Sequence, residues 1–219
     1  MKGAWAVRLE QAAAWPLVCV FVFSIPWEKS LPVAGFGTAT RLLGALALAA
    51  VAVSAAGRRT VRGPNLALVL ACAFAGWETM SYGWSIARPL SADRAITFLQ
   101  LALMVWMVWE STRTPGRQVA LIRAYVAGAA FASTLTIGRY ARGLETYYRR
   151  YAAPGFDPND LALTVALAIP LALYLSLRDR GAWLWMCRFA AALAIAAVLL
   201  SASRTALVVS FIGFAFVPW

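Results

Sequence analysis

Asn159-Asp160-Leu161-Ala162-Leu163-Thr164-Val165-Ala166-Leu167-Ala168-Ile169-Pro170-Leu171-Ala172-Leu173-Tyr174-Leu175-Ser176-Leu177 carries no charge after Asp160 and is apolar on every side. A segment of about 20 mostly apolar residues is what a helix needs to cross the hydrocarbon core of a bilayer. The same reading recurs along the chain. Candidate spans are Gln11–Trp27, Thr40–Ala56, Asn65–Ser85, Arg94–Trp109, Val119–Ile137, Asn159–Leu177 and Ala182–Leu200, and a partial eighth starts near Thr205. In lipid every backbone N–H and C=O must be paired within the protein, which leaves helices or a closed barrel. Barrel strands would alternate polar and apolar over about 10 residues. These runs are longer and do not alternate, so the predicted fold is all-α: a polytopic transmembrane helix bundle of about seven to eight spans forming a single domain over 1–219.

Composition agrees. The chain is 62% hydrophobic and only 13% charged, with a mean hydropathy of +0.71, whereas a soluble domain is about 45–50% apolar and about 25% charged. The net charge of +11 does not point to nucleic acid. The basic residues sit in short clusters between apolar runs, as in membrane proteins. Lys2 and Lys29 are the only lysines, and the remaining basic residues are arginines. With the N-terminus inside, inner segments carry eleven Lys and Arg and outer segments nine, a small bias toward that orientation. The outer count is raised by the four arginines of the loop Gly138–Asp157. Trp15, Trp27, Trp77, Trp84, Trp106, Trp109, Trp183 and Trp185 lie near the ends of spans, the pattern of an interfacial belt.

Several chemistries are excluded. There is no histidine, hence no His general base, no Ser-His-Asp triad and no His-ligated metal within these residues. Cys19, Cys72 and Cys187 each lie in or beside an apolar run and read as small buried hydrophobes. Lys2 and Arg8 followed by Ala12–Ile25 resemble a signal peptide, but without a small-x-small cleavage site an uncleaved first helix is expected. Thr205–Trp219 would make only about 22 Å of helix. It is expected to be part of a span in a truncated or partial product.

Two polar constellations interrupt the apolar pattern. The first is Tyr147-Tyr148-Arg149-Arg150-Tyr151-Ala152-Ala153-Pro154-Gly155-Phe156-Asp157-Pro158-Asn159-Asp160. Asp157 suits a helix N-cap, Pro158 the first helical position, and Asp160 the third, where a capping-box acid sits. Capping does not account for Arg149 and Arg150. Guanidinium groups beside a helix N-terminus can bind a diphosphate, and interfacial snorkelling is the competing use. The second is Ser201-Ala202-Ser203-Arg204-Thr205-Ala206-Leu207, whose arginine stands between two apolar runs. An arginine at membrane depth is a functional candidate by default, and an Arg in a helix–helix turn is the structural alternative. Loops 5–6 and 7–8 are separated by two spans and share one side of the membrane. Arg150 and Arg204 therefore converge only if Ser201–Arg204 is a turn.

Gly155-Phe156-Asp157-Pro158-Asn159-Asp160-Leu161-Ala162, followed about 40 residues later by Ser203-Arg204-Thr205-Ala206-Leu207, resembles the O-antigen ligase and polymerase family. That family's pattern is an Arg, a Gly, Pro-Asn-x-x-Ala opening one helix and Ser-Arg-x-Ala opening a later one. The likeness covers mainly residues 139–215. It implies a multi-span protein of the bacterial inner membrane with its active face periplasmic. Such a protein takes a glycan from an undecaprenyl-diphosphate carrier and passes it to a saccharide acceptor in lipopolysaccharide or exopolysaccharide assembly, with no metal or other cofactor. By the same likeness Arg150 and Arg204 are the catalytic arginines, and Arg149, Arg150, Arg204 and Asn159 bind the carrier. The histidine and the large hydrophilic loop of that family do not occur in this sequence, so the chain alone is expected to be incomplete as an enzyme. A lipid-linked oligosaccharide transporter or permease, or a non-catalytic membrane subunit, is the alternative.

Overall fold

The computed structural model describes residues 14–35, 37–58 and 60–215. The first helix, α1, is described over 14–24 and gives way to a 3-10 helix over Ile25–Ser30, where Pro26 disfavours the α conformation of the residue before it. A short antiparallel hairpin pairs Pro32–Val33 with Gly37–Thr38. Seven α-helices follow: α2 (Ala39–Arg58), α3 (Leu66–Ser81), α4 (Arg88–Ser111), α5 (Pro115–Ala141), α6 (Pro158–Arg178), α7 (Ala182–Ser201) and α8 (Arg204–Ala215). Helices α2, α4, α5, α6 and α7 are long and apolar enough to cross a membrane. The fold is all-α and the chain is a multi-pass membrane protein.

Of the expected seven spans and partial eighth, five correspond to helices of membrane-crossing length among the described residues. The third expected span is α3, whose 16 residues make about 24 Å of helix, short of the roughly 30 Å hydrocarbon core. The fourth begins earlier than expected, with Arg88 and Asp93 on helix α4 rather than before it. Residues 11–13 of the first expected span, Lys2, Arg8, Arg59 and the chain end at Trp219 lie outside the described residues.

The chain forms two compact units. The first holds residues 14–18 and Gly44–Arg117. Here Asn65 caps α3, its side chain accepting from the Leu68 N–H at 2.9 Å. Helices α3 and α4 pair through Phe74 and Phe98, edge to face at 4.9 Å between ring centroids. Leu66, Leu70, Trp77, Met80, Ile96 and Leu103 remain exposed on these two helices. Such a surface is tolerable where hydrocarbon, not water, surrounds it.

The second unit holds Cys19–Leu43 and the chain from Gln118 onward. Its core is built on α6. Leu161, Ala162, Val165, Ala166 and Ile169 pack with Ala194, Ala197 and Val198 of α7, Ala206 of α8 and Ala132 of α5. The alanines let helix backbones approach closely, which is how helices associate where lipid removes the hydrophobic drive. Closest approach falls at Gly128 of α5, where an added Cβ would lie 2.0 Å from the Phe23 carbonyl oxygen of α1. Lower on α6, Ala172 and Leu175 meet Val119, Val126, Cys187, Ala190 and Ala191. Buried hydroxyls of Ser133, Thr136 and Ser201 donate to their own helix carbonyls at 2.6–3.0 Å, so they cost little in a dry interior. Trp27 is packed between Phe23 and Phe131, at 5.6 and 5.3 Å, in an aromatic cluster.

Candidate functional site at the α5–α6 and α7–α8 connections

Helix α5 stops at Gly143 (φ +67°), whose N–H donates to the Tyr140 carbonyl while that of Leu144 reaches the Arg139 carbonyl, both at 2.9 Å. This is a standard glycine-terminated helix end. The chain then turns tightly. Tyr147 and Arg150 form an antiparallel bridge, and the two residues between them, Tyr148 (φ +41°) and Arg149 (φ +58°), are both left-handed. Two positive φ angles define the turn whose twist suits a hairpin, normally made with Asn and Gly. Side chains with a Cβ occupy it here at a cost. The Glu145 carboxylate holds it by accepting from the Arg149 N–H at 3.0 Å and from the Tyr151 hydroxyl at 3.5 Å.

The turn separates two arginines that are adjacent in sequence. Arg149 is exposed at the tip; its guanidinium has no hydrogen bond or ion pair among the described residues. Arg150 is half-buried. Its Nη2 donates to the Asn159 Oδ1 at 2.6 Å and its Nε to the Ser201 carbonyl at 2.7 Å. Arg150 therefore ties the first turn of α6 to the last residue of α7. The Tyr151 N–H adds a bond to the Leu200 carbonyl at 3.0 Å, laying the loop against the end of α7. Partial burial, and then the neighbouring Glu145 carboxylate, push the Tyr151 phenol above its ordinary value.

Asp157 caps α6 as expected, its side chain accepting from the Asn159 N–H at 2.8 Å, and Pro158 opens the helix. Asp160 departs from the capping-box expectation. Its carboxylate pairs with Lys29 at 2.9 Å, 131 residues away in sequence, instead of reaching back to the cap. Lys29 also lies 5.5 Å from the centre of the Phe156 ring. Gly155 makes this approach possible: its φ is +79° and a Cβ there would sit 2.3 Å from the Lys29 carbonyl oxygen.

The Ser201–Arg204 segment is a turn, although it contains no Gly, Pro or Asn. Ala202 takes the left-handed conformation (φ +50°, ψ +35°) and its N–H donates to the Leu199 carbonyl. Ser203 opens α8, its hydroxyl accepting from the Ala206 N–H at 3.5 Å. Arg204 is the first helical residue of α8. It is exposed and without a hydrogen bond or ion pair among the described residues. Through the Arg150–Ser201 bond the two motif segments meet, with Arg204 three residues beyond the contact. Nothing at this junction is a metal ligand set: no group of three or more Cys, Asp or Glu residues is close enough to hold a metal ion among the described residues.

A second polar cluster, not singled out from the sequence, lies in the first unit. The Glu110 side chain, near the end of α4, is fully buried and ion-paired with Arg58 at 2.5 Å and with Arg113. Its other oxygen accepts from the Arg62 N–H at 2.9 Å. The available signal was a carboxylate ending an apolar run with arginines in both neighbouring loops.

Comparison with known proteins gives no matching family model, no matching curated protein and no matching solved structure.

Proposed function

We propose that this chain is an O-antigen ligase-like protein of the bacterial inner membrane. It handles an undecaprenyl-diphosphate-linked glycan on the periplasmic face and passes the glycan to a saccharide acceptor. The observation that supports this reading is the pair of hydrogen bonds from Arg150 to the Asn159 Oδ1 and to the Ser201 carbonyl. They join the Pro158-Asn159 segment to the turn that leads into Ser203-Arg204, the two segments in which the family likeness resides. Arg150 spends its Nε and one Nη2 hydrogen on the protein, and its Nη1 end has no bond among the described residues. The guanidiniums of Arg149 and Arg204 have no acceptors among the described residues. Arg204 also stands at the start of α8, where unpaired N–H groups favour an anion.

In the transfer, an acceptor hydroxyl oxygen bonds to the anomeric carbon as the bond from that carbon to the carrier diphosphate oxygen breaks. The diphosphate leaves with the electron pair, and the hydroxyl proton goes to a base. These residues contain no histidine for that proton. Their assigned work is to hold the diphosphate and stabilise its developing charge, which fixed guanidiniums do without reorganisation.

The test is glycan transfer in membranes by the full-length protein carrying Arg150→Ala or Arg204→Ala. Each is expected to lose roughly 10²–10³-fold in rate, the usual cost of removing one preorganised charge stabiliser, with normal membrane insertion. Normal transfer by both variants refutes the assignment. Movement of the carrier-linked glycan across vesicles without an acceptor would support a permease instead.

A further inference from the structure

The arginines around Glu110 exceed what one carboxylate needs. Arg58 and Arg113 pair with it. The Arg62 backbone N–H bonds to it, while the Arg62 side chain donates to the carbonyls of Trp109 and Thr112 and stacks 3.4 Å from the centre of the Trp109 ring. Arg117 pairs with no carboxylate among the described residues. It donates to the Ser111 carbonyl at 3.2 Å and lies 5.0 Å from the Trp15 ring. Among the described residues, four guanidiniums thus gather around one carboxylate where α2 and α4 end and α5 begins.

Between these groups is a cleft of about 20 Å³ lined by Trp15, Ser54, Arg58, Glu110, Ser111 and Arg117. That volume holds one water-sized group. Two donors of the lining residues have no hydrogen-bond partner among the described residues: the buried Ser111 hydroxyl and the buried Arg58 Nε. Ser111 is only 7% exposed, so its unpaired hydroxyl carries a desolvation cost. The repulsion of Glu110 on the same wall is offset by the positive charges of Arg58 and Arg113, which pair with it.

We propose that this cleft is a binding site for a phosphate-type anion at the membrane surface. One anionic oxygen enters between the Arg58 Nε, the Ser111 hydroxyl and Arg117, while the rest of the group stays at the mouth. Buried donors then gain a charged acceptor, and the excess positive charge is offset. A basic pocket between spans is where anionic headgroups bind, and free phosphate offers the same oxygens. This site is independent of the glycan-transfer reading.

The test uses the purified full chain, stripped of lipid in neutral detergent, with its thermal midpoint as readout. Phosphatidylglycerol, phosphatidylcholine and inorganic phosphate are added separately. Phosphatidylglycerol at a hundredfold excess over its Kd is expected to raise the midpoint by about 5–10 °C, and phosphatidylcholine much less. A further rise with inorganic phosphate alone identifies the free anion as sufficient; its absence identifies the headgroup as the source. Arg117→Gln and Ser111→Ala should each weaken binding about tenfold, halving the shift. Arg180→Gln removes the same charge from an exposed site in the other unit and should keep it. Ser111→Ala removes a hydroxyl without a partner, so it remains informative if Arg117→Gln folds poorly. Equal response to both lipids without a phosphate effect, or full shifts in Ser111→Ala and Arg117→Gln, overturns the proposal and leaves a cleft that holds water only.

Discussion

Gly155 is where the candidate site is most sensitive to a single methyl group. Gly155→Ala meets two independent penalties. Its φ of +79° is left-handed, which costs a residue with a Cβ about 1–2 kcal/mol. The new Cβ would also lie 2.3 Å from the Lys29 carbonyl oxygen, more than 1 Å inside the 3.4 Å at which ordinary contact begins. That neighbour is backbone, so it cannot rotate away, and overpacking of this kind costs about 1–3 kcal/mol. Together the loss is roughly 2–5 kcal/mol. At about 2–4 °C per kcal/mol for a chain of this size, the thermal midpoint should fall by roughly 4–20 °C. The comparison is Gly138→Ala on α5, where a Cβ meets nothing within 4 Å. That change replaces a helical glycine and should be neutral or stabilise by up to about 1 kcal/mol. Both variants are melted in one detergent, followed by size-exclusion fluorescence. A Gly155→Ala midpoint equal to that of Gly138→Ala would refute the claim that close backbone approach at Gly155 seats the α6 entry against Lys29.

Two further outcomes are expected. Glu110→Gln removes the carboxylate that pairs with Arg58 and Arg113 and leaves their charges beside a fully buried amide; a loss of roughly 2–4 kcal/mol in stability is expected, read as a lowered unfolding midpoint, and an unchanged midpoint would show that the cluster is not structural. The raised Tyr151 phenol means that its neutral form is preferred in the fold, so this contribution is fully present below the ordinary tyrosine value of about 10 and is lost as pH rises through the higher folded value. An alkaline ultraviolet titration of the wild type minus Tyr151→Phe should show phenolate absorbance appearing only above that pH.

What could be read from the sequence was what short-range physics dictates. Thr40–Ala56, Val119–Ile137, Asn159–Leu177 and Ala182–Leu200 lie within α2, α5, α6 and α7 to within a few residues, because unbroken apolar runs of that length have no other stable form in lipid. The Asp157-Pro158 entry to α6 was legible for the same reason: a cap is decided within three residues. Three features were not. The left-handed turn at Ala202 uses a residue with high helix propensity, and tertiary packing of α8 against α6 overrides that preference. The tip at Tyr148 and Arg149 is likewise held by Glu145 and the end of α7 rather than by its own residue types. Asp160 looked like a capping acid because the residue that claims it, Lys29, is distant in sequence, and ion pairs at long separation leave no periodic trace. The Glu110 cluster was hidden similarly, among arginines that also fit the rule for sorting charge across a membrane.

Arginine is used in two opposite ways in this protein, and the contrast sharpens the functional reading. Around Glu110 the guanidiniums are engaged: they pair with one buried carboxylate, donate to backbone carbonyls and stack on Trp109 and Trp15. Removing a partner there should register first as lost stability. At the α5–α6 and α7–α8 connections only Arg150 is engaged, and its two bonds go to neutral oxygens, an amide and a carbonyl. Neutral acceptors orient a guanidinium while leaving its full charge available to a ligand, whereas a carboxylate would cancel that charge. Arg149 and Arg204, in the same two connections, have no acceptors among the described residues. Exposed arginines of this kind contribute little to folding, so their replacement should leave the unfolding midpoint almost unchanged. Under the carrier-binding proposal the same replacements remove charge from the departing diphosphate. A variant such as Arg204→Ala that melts like wild type but fails in transfer would separate a binding arginine from a structural one, and stability lost in step with activity would argue for the opposite assignment.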